Sequence, residues 1–172
     1  SIAGVFLRAG TPWPGPGAQI EFEVSAGNLF NEPYKRPTSA DMVVRGPSGD
    51  PIYVTAKLAE HSYGPCKKLK QGDCEGANPA RDLESCPLHQ ENIDYWHVLA
   101  KHGVDLSKAG ALCPLGPASE FFRTLAMALE AGGHCVLLVH DDNPAFARNQ
   151  SSRGLWPLMR SILPESKQKK VH

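Results

Sequence analysis

Asp41 and Lys57 are the two side chains of this sequence most plainly equipped for chemistry. Asp41 stands just ahead of the apolar Met42-Val43-Val44, and Lys57 comes late in an alternating run that begins at Ile52. Between them, Gly46-Pro47-Ser48-Gly49-Asp50-Pro51 is dense in turn formers. The stretch from Thr38 to Glu60 therefore reads as two strands joined by a tight turn. In the second strand Ile52, Val54, Ala56 and Leu58 point one way, and Tyr53, Thr55 and Lys57 the other. An acid on one strand of a hairpin and a lysine on the next can then meet on one sheet face. A carboxylate holds a hard divalent cation, while an ammonium steadies a phosphate or an attacking water. Spacing alone makes this a weak signature, because acids and lysines on adjacent strands are common.

The flanks add to it. Thr38-Ser39-Ala40-Asp41 precedes the hairpin, and Lys57-Leu58-Ala59-Glu60 with Tyr63-Gly64-Pro65-Cys66 follows. Together these stretches resemble the restriction-endonuclease-like nucleases of the PD-(D/E)xK superfamily, in a bacterial branch of restriction endonucleases. The resemblance covers roughly residues 20–147. It implies an α/β fold with a restriction-endonuclease-like core, a central mixed β-sheet flanked by helices. It also implies hydrolysis of DNA phosphodiester bonds with Mg²⁺, Asp41 serving as a ligand and Lys57 taking the lysine position. The chain departs from the pattern at Thr55, where the motif carries Asp or Glu. A hydroxyl is a weak ligand for a divalent cation, so another acid must supply the missing charge. Glu60, Glu23 and Glu21 are the candidates. Glu60 has the wrong parity unless the strand bulges or ends before it, and Glu23 can reach from a neighbouring strand. Glu120 and Arg123 occupy a place where the family often reads Gln-x-x-Arg beside the active site. A Glu in a helix's first turn is also favourable on electrostatic grounds alone.

Cys66, Cys74, Cys86 and Cys113 are separated by 8, 12 and 27 residues. None forms the CxxC pair that marks a structural zinc site strongly. Their concentration in a loop-rich region, with His61 and His89 near, points to Zn²⁺ or an iron–sulfur cluster. Some members of the wider superfamily carry such clusters. Free thiols, some of them buried, are the competing expectation. Cys135 lies within the run Cys135-Val136-Leu137-Leu138-Val139 and reads as core, in a strand buried on both faces.

These residues need a scaffold. At 172 residues, with 41% hydrophobic and 21% charged, the chain suits one globular domain. Eighteen basic residues balance eighteen acidic ones, so any nucleic-acid contact must rest on a local patch. Tyr34-Lys35-Arg36, Lys67, Lys68 and Lys70 with Tyr63, and Lys167, Lys169 and Lys170 are such patches, although solvated charge is the commoner explanation for the two lysine groups. No apolar run approaches spanning length and no signal peptide is visible. Thiols without secretory features place the chain in the cytoplasm. A start at Ser1-Ile2-Ala3 suggests a processed or excised piece.

Residues 1–19 read as an arm, residues 20–163 as a nuclease-like domain with a cysteine-containing insertion at about 61–90, and residues 164–172 as a basic tail. Ile20 to Val24 alternates as a half-buried strand with Glu21 and Glu23 on its polar face. Helices are predicted around Ile93, Trp96, His97 and Ala100, around Phe122, Leu125, Ala126 and Leu129, and over Leu155 to Leu163. Ser119 is placed to cap the second of these and Gly132-Gly133 to stop it. Trp96 and Trp156 read as core. Asp141-Asp142 before Asn143-Pro144 reads as a turn. The leading expectation is a metal-dependent DNA endonuclease, for which a homodimer is a compatible assembly. The rivals are an inactive nuclease fold that binds nucleic acid or a partner, and a cysteine-held metal module without hydrolytic function.

Overall fold

The computed structural model describes residues 1–33, 37–58, 60, 62–140 and 155–172. Helix α1 (Ile2–Arg8) leads into strands β1 (Gln19–Ser25), β2 (Ser39–Arg45) and β3 (Ile52–Lys57). Short helices α2 (Lys67–Gln71), α3 (Pro87–Gln90) and α4 (Tyr95–Lys101) precede the long α5 (Leu115–Glu130) and strand β4 (His134–Val139). Helices α6 (Leu155–Ile162) and α7 (Glu165–Gln168) follow. The sheet order is β1-β2-β3-β4. Its first three strands form an antiparallel meander, and β4 lies parallel to β3. A parallel neighbour requires a crossover connection, and the long segment holding α2 to α5 supplies it. This is the mixed α/β sheet with flanking helices that the sequence predicts.

The predicted hairpin forms with Val44 opposite Ile52, Val43 opposite Tyr53 and Met42 opposite Val54. Gly46 lets the turn close against the preceding segment: a Cβ there would lie 2.0 Å from the Pro14 carbonyl oxygen. Strand β3 is buried on both faces, more deeply than its alternation suggests, because it is flanked by β2 and β4 and covered on each side.

The two covers differ. One face of the sheet carries Val43, Tyr53 and Cys135 against Phe121, Phe122, Leu125 and Leu99, all buried. Each large apolar side chain of this kind contributes about 1.5–3 kcal/mol on burial. The opposite face carries a small cluster in which Phe6 of α1 meets Val44, Ile52, Val54 and Val136, with Trp13 packed alongside. Residues 2–8, within the stretch read from sequence as an arm, are thus a helix, capped by the Ser1 side chain. It is too short to cover the whole face. Strand β1, expected half-buried, is exposed almost throughout, and Phe22 is 72% exposed. Leu138 of β4 also reaches solvent, so that strand is buried on one face and open at its far end on the other.

Helix α5 begins earlier than predicted and bends at Ala118 (φ −136°, ψ 36°). The bend follows Pro117 and immediately precedes Ser119, the predicted cap. Trp96 is core, whereas Trp156 is half-buried. The end of the chain is not a free basic tail. Val171 bridges Cys135 in parallel fashion. Leu137 N–H donates to the His172 carbonyl and His172 N–H to the Cys135 carbonyl. Lys170 pairs with Asp50. His134 Nδ1 lies 3.0 Å from His172 Nε2, and burial pushes the His134 imidazole down to about 4. The Tyr34-Lys35-Arg36 cluster, His61 and Asp141-Asp142 lie outside the described residues.

Candidate active site

Backbone pairing opens at Asp41. The β2–β3 ladder runs as far as Met42–Val54, which sets Asp41 across from Thr55. There the Asp41 carboxylate replaces the ladder: its Oδ2 accepts the Ala56 N–H at 2.7 Å. On the other side, β1 pairs with β2 at Phe22–Met42 and Val24–Ala40, skipping Glu23 and Asp41. Glu23 itself holds φ 50°, a left-handed conformation that costs a non-glycine residue about 1–2 kcal/mol. Asp41 therefore sits where both of its ladders are interrupted.

Beyond this opening lies a polar cleft of about 330 Å³. Strands β2 and β3 supply Ser39, Asp41, Thr55 and Lys57; α5 supplies Glu120, Arg123 and Thr124; Pro37 and Thr38 close the rim. The shared face of Asp41 and Lys57 follows from strand parity, as the sequence predicts. Lys57 is nearly buried, and its ammonium pairs with the Glu120 carboxylate. Thr55 is 3% exposed, and its hydroxyl bonds Thr124 Oγ1 at 2.7 Å. It fastens α5 to the sheet.

The other predicted acids lie off the cleft. Glu60 is exposed, 3.9 Å from the Lys57 ammonium, and does not line the cleft. Glu23 reaches only the rim, where it accepts from the Ser39 hydroxyl at 3.3 Å. Glu21 pairs with Arg45 at 3.1 Å on the exposed strand. Glu120, reached by the chain only after the whole crossover, is the acid that stands beside Asp41 and Lys57.

Behind the cleft is a network to which no spacing in the sequence points. Glu32 is almost wholly buried and accepts from Thr38 N–H at 2.5 Å, from Thr38 Oγ1 at 2.7 Å and from the Tyr95 hydroxyl. Arg123 lies 3.8 Å from Glu32 and packs over the Tyr95 ring. Burial raises the Tyr95 phenol above its ordinary value. These bonds satisfy a buried charge, which would otherwise be costly, and they hold Thr38 at the entry to β2.

A family model described as REase-ARP, Restriction Endonuclease associating with ARP, matches residues 5–172. The chain belongs to that family. Its mixed four-stranded sheet with helices is consistent with a restriction-endonuclease-like domain, and its relationship is to restriction endonucleases. No curated protein and no solved structure matches the REase-ARP chain. Among the described residues, no helix is long and apolar enough to cross a membrane.

The four spaced cysteines converge on the far side of the α5 start. Cys66, Cys74, Cys86 and Cys113 line one small enclosed pocket of about 20 Å³. All are free thiols, and burial pushes Cys113 up to about 12. Cys135 is fully buried in β4, apart from them. As placed, no three His, Cys, Asp or Glu side chains among the described residues are gathered closely enough to hold an ion.

Proposed function

We propose that this chain is a Mg²⁺-dependent endonuclease domain that hydrolyses DNA phosphodiester bonds in the cleft. It uses a PD-(D/E)xK-type arrangement in which Thr55 replaces the usual acid and Glu120 supplies the second carboxylate. The observation that carries this reading is the Lys57–Glu120 pair, standing in one polar cleft with Asp41.

The donor set suits Mg²⁺, which takes one or two carboxylates and fills its remaining positions with water and phosphate oxygens. Asp41 commits one oxygen to Ala56 N–H, leaving the other for the cation, and Glu120 would complete the protein's share. A bound Mg²⁺ lowers the pKa of a coordinated water and neutralises charge on the phosphate. Lys57, paired with Glu120 in the cleft, would orient the attacking water or stabilise the five-coordinate phosphorus. Arg123, at the cleft wall, offers a fork to a phosphate oxygen. The protein acts in the cytoplasm on this reading, and a homodimer would let two clefts address two strands.

Cleavage of plasmid and linear duplex DNA with Mg²⁺ or Mn²⁺ tests the proposal, comparing wild type with Asp41→Ala, Lys57→Ala and Glu120→Gln. Loss in all three supports the site. Retained cleavage in Glu120→Gln would show that the second acid is another residue. A second reading, an inactive nuclease fold that binds DNA, is favoured by the Thr55 hydroxyl being used to tie α5 to the sheet. Wild type that binds duplex DNA but never cuts it would select that reading.

A further inference from the structure

We propose that Cys66, Cys74, Cys86 and Cys113 form a structural Zn²⁺ site that holds the start of α5, and with it Glu120, in position. Four of the chain's five cysteines, three from an insertion poor in long elements and Cys113 from just before α5, face one enclosed space. That space is the size of about one water molecule, room for a single ion. Cys74, Cys86 and Cys113 are only half-buried, unlike a core thiol such as Cys135.

The surrounding backbone is already laced for the purpose. Cys66 N–H donates to the Gly116 carbonyl at 2.7 Å, Cys113 N–H to the Gly76 carbonyl at 2.8 Å and Asn78 N–H to the Ala111 carbonyl at 2.9 Å. Three segments bearing three of the cysteines are thereby gathered before any ion arrives. Binding needs the four sulfurs to close from the pocket walls onto about 2.3 Å bonds to Zn²⁺, with the thiol protons passing to solvent. The same lacing runs to the cleft. Glu120 N–H donates to the Gly64 carbonyl at 3.3 Å, two residues before Cys66. The metal site stands on its own observations, whereas its positioning of Glu120 rests on the nuclease reading above.

The test is metal analysis of the full chain purified in reductant without chelator. About one zinc per chain is expected, falling to a small fraction in Cys86→Ser and Cys113→Ser and unchanged in Cys135→Ala. Because a cysteine variant can fail to fold, wild type is also alkylated with and without prior chelation and read by mass. Protection of these four thiols that chelation abolishes supports the site. Wild type without zinc overturns it, as does iron with sulfide, a mass showing disulfides, or thiols equally reactive before and after chelation. Zinc present without DNA cleavage would overturn the nuclease reading alone; cleavage without zinc would overturn the zinc site alone.

Discussion

The cleft and the cysteine pocket flank the same end of α5 but are built in opposite ways. The cleft draws Asp41, Thr55 and Lys57 from paired strands, and charge is met within the protein, Lys57 by Glu120 in the cleft and Glu32 by Thr38 and Tyr95 behind it. The pocket draws its thiols from turns and short helices, and nothing inside it joins them. Strands hold side chains to a fixed geometry without a ligand, because the ladder and the core set their positions. Turns do not. A constellation on turns needs a bond of its own to become rigid, which is how small metal-bound modules gain stability.

The largest expected effect separates the two sites. Lys57→Ala should lower DNA cleavage by about 100-fold or more and leave the zinc content as it was; a parallel loss of zinc would show that the sites are not independent. Gly64→Ala comes next, since Gly64 lies between them. A Cβ there would meet Glu120 Cδ at 2.2 Å, in a residue with φ +68°. Backbone strain of about 1–2 kcal/mol is expected in thermal unfolding, together with weaker cleavage from a displaced Glu120. Unaltered cleavage would mean that Glu120 need not sit where it does.

Thr55→Val should cost about 1–2 kcal/mol in denaturant unfolding by stranding the Thr124 hydroxyl. Pairing it with Thr124→Val should recover part of that loss. Additive losses would show that the hydroxyl pair does not couple α5 to the sheet. The smallest effect involves neither site. The His134 imidazole is held down to about 4 by burial, with Lys170 and His172 adding positive charge and Asp50 opposing them. The unfolded chain takes up this proton below about 6.5 and the folded chain only near 4. Stability should therefore be full above pH 6.5, fall as pH drops and level off near pH 4. His134→Gln should flatten that slope in denaturant titrations, and an unchanged slope would place the acid sensitivity elsewhere.

What could be read from the sequence followed locality. The hairpin was legible because turn residues and period-two alternation act within about a dozen positions, and parity alone placed Asp41 and Lys57 on one face. Helix α5 was legible from its apolar repeat, but its bend at the buried Ala118 was not. Glu120 could not be assigned from spacing, since its approach to Lys57 depends on the path of the whole crossover. Glu32 left no trace, because a buried acid in a loop is made tolerable only by partners at Thr38, Tyr95 and Arg123. The exposure of β1 followed from the shortness of α1, which no strand pattern encodes.

The last residues of the chain, hydrogen-bonded along β4, bear on assembly. Residues 170–172 occupy the amide and carbonyl groups of Cys135 and the amide of Leu137. That border of the sheet is already sealed against strand addition there. The border at β1 carries Glu21, Glu23 and the kink at Glu23, features that discourage the edge-to-edge pairing from which aggregates grow. The fold thus guards its two margins by different means, one with residues 170–172 and the other with charge and distortion. A copy of the chain that pairs with this one must do so through side-chain surfaces rather than by lengthening the sheet at β4.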